Sequence, residues 1–195
     1  MYPTLIGYTG GTGRCNYGIA DDSQAAINSI KRFDVIITYY KSWVEEDNVL
    51  KVKRAWGLPG DTISLFYNAE GSNMIFTVTN SSGTLTYEST PATMYDVVYD
   101  NIVEKVWVFT WNVGNKVFHT VNTVRTINEK VLADDEYYLM GDNWSSSTDS
   151  YSQNEPLKKS DVQGKVIRIE GTAHYNSADK TLVDKRKFDC PKYNI

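Results

Sequence analysis

The chain is predicted to be mainly β: a catalytic β lobe with a second β lobe inserted into it, and one or two short helices. Three observations predict this. Runs rich in β-branched and aromatic residues, many of them alternating, dominate the 195-residue sequence. Short clusters of Gly, Asn, Asp and Ser separate those runs. Only two stretches carry apolar residues at helical spacing behind a capping residue.

In chain order, Asp21-Asp22-Ser23 offers capping oxygens ahead of Ile27, Ile30 and Phe33, which predicts a first helix. Strands follow at 34–40 and 49–56. The first is a β-branched and aromatic run, and the second partly alternates. Gly60-Asp61 marks a turn, and strands are read at 74–79 and 84–87 around Asn80-Ser81-Ser82-Gly83. Thr90 before Pro91 looks like a cap with proline at the first helical position. Met94, Val97, Val98 and Ile102 then form one apolar stripe, so a second helix is predicted there. Strands at 106–111 and 116–121 flank Asn112-Val113-Gly114-Asn115, a hairpin signal. Further strands are read at 136–140 and 165–169.

Composition narrows the functional classes. With 41% hydrophobic and 23% charged residues, the chain is an ordinary globular sequence long enough for one core or two small lobes. The net charge of −4, with basic residues scattered, gives no footprint for nucleic acid. No apolar run approaches the roughly 20 residues that cross a bilayer, and the start has no signal-peptide pattern. The two cysteines, Cys15 and Cys190, lack metal-ligand spacing; two thiols and one long-range disulfide are both open. No cofactor and no metal site is expected.

The chemistry concentrates in a few segments. Lys53-Arg54-Ala55-Trp56-Gly57-Leu58-Pro59-Gly60-Asp61 joins a strand to a turn. On that strand Lys51, Lys53 and Ala55 share one face, and Val52, Arg54 and Trp56 the other. Alternation alone favours both lysines on a solvated outer face. A lysine acts as a general base only when neutral, and its ordinary pKa is about 10.4. Burial among apolar groups penalises the ammonium; a drop of about two to three units is worth roughly 3–4 kcal/mol. Downstream lie Gly141-Asp142-Asn143 and Ser147-Thr148-Asp149-Ser150, and upstream Arg32-Phe33-Asp34 and Met1-Tyr2-Pro3-Thr4-Leu5.

In this order the segments resemble those of the signal peptidase I family of serine proteases, the S26 type, which use a serine and a lysine without a histidine. The family pattern Lys-Arg-x-x-Gly-x-Pro-Gly-Asp is complete here, and the resemblance makes Lys53 the general base, supported by Arg54. It makes Ser147 the hydroxyl that orients the amine, and Asp149 a structural aspartate, with Asp142 and Asn143 in support. The family's two arginines in this region are replaced by Trp144 and Tyr151, so an ion pair for Asp149 would need another cation. Where the family has Arg-Gly-Asp, Phe33 stands in place of glycine, and a turn needing positive φ would be built differently.

Ile37 and Val52 are candidates to line the pocket for small substrate residues, with Pro3 in the opening box. That box matches the family's Ser-Met-x-Pro-Thr-Leu from its second residue. The nucleophilic serine would therefore sit just before Met1, outside this sequence, and the chain as given is expected to be inactive.

If the lysine and Gly-Asp-Asn segments serve one site, residues 1–66 and 131–172 form the catalytic lobe, 67–130 the insert, and 173–195 an extension. The implied partners are secreted precursor proteins carrying signal peptides, and a membrane through an N-terminal anchor absent from this sequence. The domain would then lie on the extracytoplasmic face. The alternative is a noncatalytic relative that binds extended peptides, or a secretion partner, through an exposed strand.

Overall fold

The computed structural model describes residues 14–39, 50–91, 93–99, 102–113, 116–122, 125–142, 144, 147–176, 178–179 and 181–187. These residues form fourteen strands and two short α-helices, and the chain is mainly β as the sequence predicts. It divides into two compact units, Met1–Ala55 with Asp161–Ile195, and Trp56–Ser160.

The spine of the first unit is the long strand β13 (Val162–Asn176). Strand β1 (Arg14–Asp21) runs antiparallel along one edge, from Arg14 opposite His174 to Asp21 opposite Lys165. The other edge takes β2 (Val35–Tyr39) at its start and β14 (Thr181–Lys187) at its end. β2 pairs in turn with β3 (Leu50–Gly57). Val35, Val166 and Ile169 make a buried cluster, with Ile37 and Val52 packed against it. Full burial of one such aliphatic side chain contributes about 1.5–3 kcal/mol.

Helix α1 (Gln24–Asn28) is capped by Ser23 as predicted, with Ser23 Oγ accepting from Ala26 N. It is shorter than the apolar spacing suggested. Ser29 ends it, so Ile30 and Phe33 lie beyond it, both buried.

The second unit contains three groups of strands. β4 (Thr62–Asn68), β5 (Asn73–Asn80) and β6 (Gly83–Glu88) form a meander, and β10 (Ile127–Val131) adds to the far edge of β4. β7 (Thr93–Tyr99), β8 (Ile102–Val113) and β9 (Lys116–Asn122) form another. β11 (Glu136–Met140) pairs with the short β12 (Leu157–Lys158), and helix α2 (Ser150–Gln153) lies between them in sequence.

The turn predicted at 80–83 joins β5 to β6, with Asn80 facing Gly83, and the hairpin predicted at 112–115 brings Val113 opposite Lys116. The predicted second helix is not. Thr93–Tyr99 is strand β7, paired with β8 from Thr93 opposite Val108 to Tyr99 opposite Ile102. The reason is local composition: Thr93, Val97 and Val98 are β-branched and Tyr95 and Tyr99 aromatic, residues that favour a pleated surface with a partner strand. The Thr90 amide, read as the start of a helix, instead donates to Thr110 O at 2.6 Å.

An aromatic cluster fills the second unit. Trp56, at the end of β3, meets Phe76, Trp111 and Trp144 edge-on at centroid distances of 5.2, 5.2 and 5.5 Å. Edge-to-face pairs of this kind add about 0.5–1.5 kcal/mol each beyond area burial.

Candidate active site

Strand β3 becomes steadily more buried along its length. Leu50 is exposed, Lys51 and Val52 are half-buried, and every residue from Lys53 to Gly57 is buried. Lys53 itself is 7% exposed and stands opposite Ile36 of β2. The solvated-face reading that alternation favours therefore fails for Lys53.

Arg54, 1% exposed, is opposite Val35. Its Nη1 donates to Phe33 O at 2.8 Å. Phe33 N donates to Ala55 O at 2.6 Å, and Ala55 N to Asp34 O at 2.9 Å. The Asp34 carboxylate is held in turn by Lys165 Nζ at 2.6 Å and Lys31 N at 2.7 Å. This lattice explains the Phe33 position: φ is +69°, the left-handed value that glycine takes easily. The turn keeps that conformation with a phenylalanine. A buried guanidinium and two backbone bonds hold it against a penalty of about 1–2 kcal/mol. Ile37 and Val52 are direct cross-strand partners, both partly buried.

After β3, Leu58-Pro59-Gly60-Asp61 makes a tight turn. Asp61 N donates to Leu58 O at 3.0 Å, and Gly60 has φ +79°. Proline in second place and a positive-φ glycine in third define a type II turn. Asp61, 2% exposed, accepts from Leu58 N at 2.6 Å and from Asn80 Nδ2 at 3.1 Å. Within this motif the proline, glycine and aspartate are architectural.

The second group of candidates follows β11. Asp142 is buried, and Ser147 is half-buried in the segment that leads to α2. Gly141 is needed there: a Cβ on it would lie 2.3 Å from Ser147 Oγ. Asp149, fully buried, is the N-cap of α2. Its Oδ1 accepts from Ser152 N at 2.9 Å and its Oδ2 from Gly141 N at 2.8 Å. Ser152 Oγ accepts from Asp149 N at 2.9 Å, which completes a capping box. Backbone amides thus meet the carboxylate at the place where the resemblance implied an ion pair. Ser150 Oγ accepts from Leu139 N at 3.1 Å and ties the helix to β11.

The two residues that replace the family's arginines pack together, with the Trp144 and Tyr151 rings 5.0 Å apart. Burial pushes the nearby Tyr138 phenol up, and the charge of Asp149 adds to the effect. That phenol stays neutral at any physiological pH.

Lys53, Arg54, Ile37 and Val52 thus belong to the first unit, and Asp142, Ser147 and Asp149 to the second. Pro3 and Asn143 lie outside the described residues. Cys15 is a buried free thiol whose Sγ lies 3.5 Å from Ala173 O; Cys190 lies outside the described residues. Sequence reasoning missed Ser150 and Ser152. The Asp149-x-x-Ser152 spacing was the available signal, since a polar side chain three residues after an N-cap completes a capping box.

The model of the family "Signal peptidase, peptidase S26" matches residues 14–169, most of the chain. No curated protein matches it. The chain belongs to the S26 signal peptidase family, a class of serine peptidases. Members of this family are typically membrane-associated. Among the described residues no helix is long and apolar enough to cross a membrane.

Proposed function

We propose that the chain is the ectodomain of a signal peptidase I-type endopeptidase that removes signal peptides from secreted precursors by a serine–lysine dyad. The observation that supports this most is Lys53: a lysine buried to 7% exposure on a strand, inside a complete Lys-Arg-x-x-Gly-x-Pro-Gly-Asp segment. A buried lysine without a chemical task is rare, because burial penalises its charged form.

In this reading a serine directly ahead of Met1 attacks the scissile carbonyl. Lys53 Nζ accepts the hydroxyl proton as the C–O bond forms, and gives it to the leaving amine as the C–N bond breaks. Water then attacks the acyl-enzyme; Lys53 takes its proton and returns it to the serine oxygen as the ester C–O bond breaks. Backbone and hydroxyl donors around the serine stabilise the oxyanion. Ser147 has the supporting hydroxyl's role, Arg54 holds the strand that carries Lys53, and Asp142 and Asp149 shape the segment around Ser147. The paired Ile37 and Val52 side chains form the apolar rim that selects small residues before the cleaved bond. The catalytic domain would work on the extracytoplasmic face, anchored through a segment ahead of the serine.

The test is direct. The chain is extended by Ser-Gly-Ser before Met1 and given a precursor peptide with small residues ahead of the bond. Cleavage at that bond, with none by the 195-residue chain itself, supports the reading. An extended chain that folds and leaves the peptide intact refutes it.

A second reading has one observation in its favour. Every residue of β14 is exposed, and among the described residues this strand pairs only with β13. A noncatalytic relative would capture an extended peptide, or a secretion partner, on that outer edge. Peptide binding that survives loss of Lys53 but is lost when Val183 is replaced by proline would favour it.

A further inference from the structure

We propose that Arg125 is a positioning residue for the 141–152 segment, the clamp that keeps Asp149 on the Gly141 amide and so keeps Ser147 in place. Only its consequence for rate rests on the serine–lysine reading above.

Helix α2 has four residues, far too few to persist unaided. Its first end is held by the Asp149 capping box. Its other end is held by cations from a segment 26 residues upstream: Arg125 Nη1 donates to Tyr151 O at 3.1 Å and to Ser152 O at 2.6 Å. Lys130 Nζ adds a bond to Asn154 O at 2.7 Å. These carbonyls are the ones a helix leaves without partners at its C-terminus, where positive charge is favoured.

The attachment is reciprocal. Tyr151 Oη accepts from Arg125 N at 2.6 Å and donates to Arg125 O at 3.1 Å, while the guanidinium carbon lies 5.9 Å from the Tyr151 ring centroid. Tyr151 is 3% exposed and packs on Trp144, so the clamp reaches the aromatic cluster that backs this segment.

The chain of dependence is short. Arg125 holds Tyr151 and Ser152; Ser152 N and Gly141 N both donate to Asp149; Gly141 abuts Ser147. Both carbonyl bonds come from Nη1; a lysine in place of Arg125 keeps the charge but lacks the planar guanidinium that lies over the Tyr151 ring.

The test uses hydrogen exchange on the 195-residue chain and kinetics on the serine-extended chain. In Arg125→Ala, exchange at the Gly141 and Ser152 amides should quicken about tenfold or more, with Phe33 and Ala55 unchanged as controls in the first unit. Arg125→Lys should fall between. In the extended chain kcat should drop about tenfold with KM within twofold, at a temperature where both proteins are folded. Should Arg125→Ala fail to fold, Tyr151→Phe, which removes only the hydroxyl's two bonds, must show the same ordering of exchange. Unchanged exchange at both amides overturns the clamp, and so does a rate loss confined to KM. An extended parent with no activity counts against the serine–lysine reading, while the exchange result still decides the clamp.

Discussion

Phe33 carries a left-handed backbone that its side chain does not favour, and the buried Arg54 guanidinium holds its carbonyl. Replacement by alanine removes the buried ring and keeps the strained φ. Replacement by glycine removes the ring and relieves the strain. Phe33→Gly should therefore be less destabilising than Phe33→Ala by about 1 kcal/mol, the reverse of the usual order. Urea unfolding of both variants measures it, and an alanine variant at least as stable as the glycine one would contradict the turn. Gly141 makes the opposite point. A methyl there would sit 2.3 Å from Ser147 Oγ and 2.9 Å from its Cβ. Gly141→Ala should cost about 1–3 kcal/mol. In the serine-extended chain it should also lower kcat, because the displaced group is Ser147.

At the scale of elements, α2 stands on Asp149. Asp149→Ala strips acceptors from two amides in a buried place, at about 1–3 kcal/mol per group left unsatisfied. The loss should appear as a lowered melting temperature and as early exchange at Gly141. Ser23→Ala, at the partly exposed cap of α1, should cost only about 1 kcal/mol by the same measurement. At the start of β11, Glu136 shows how acid should act. The Ala133 amide, more than Lys158, holds its carboxyl below the usual value of 4.5. A lowered folded-state pKa contributes stability above the unfolded value, and that stability is lost as pH falls through the folded one. Glu136 is half-buried but its partner Lys158 is exposed, so the effect is partly screened and small. Glu136→Gln should flatten the fall in stability below pH 4.5 slightly, and leave stability above pH 6 dependent only on the lost Ala133 and Lys158 contacts.

At the scale of the whole chain, the β class and most strands were legible because their apolar residues are contiguous or alternate. Strands β1, β4, β10, β12 and β14 are not among the predicted ones. β14, Thr-Leu-Val-Asp-Lys-Arg-Lys, shows why: it is exposed along its whole length and owes its strand form to backbone pairing with β13. β7 was read as a helix because a Thr-Pro start and a three-four apolar spacing coincided on a β-branched segment. Lys53 could be chosen over Lys51 only through the motif around it. Alternation puts the two on one face, and the gradient of burial along β3 separates them. The Asp149 environment was hidden for a different reason. Its partners are backbone amides, which leave no residue-type signature, and Arg125 reaches α2 from 26 positions away.

The proposed chemistry depends most on Lys53, and the cleavage rate of a precursor peptide by serine-extended chains tests it most directly. Lys53→Ala should reduce kcat/KM by about 10³-fold or more, while Lys51→Ala on the same strand stays within about threefold. Equal rates for the Lys53→Ala chain and its parent would contradict the account.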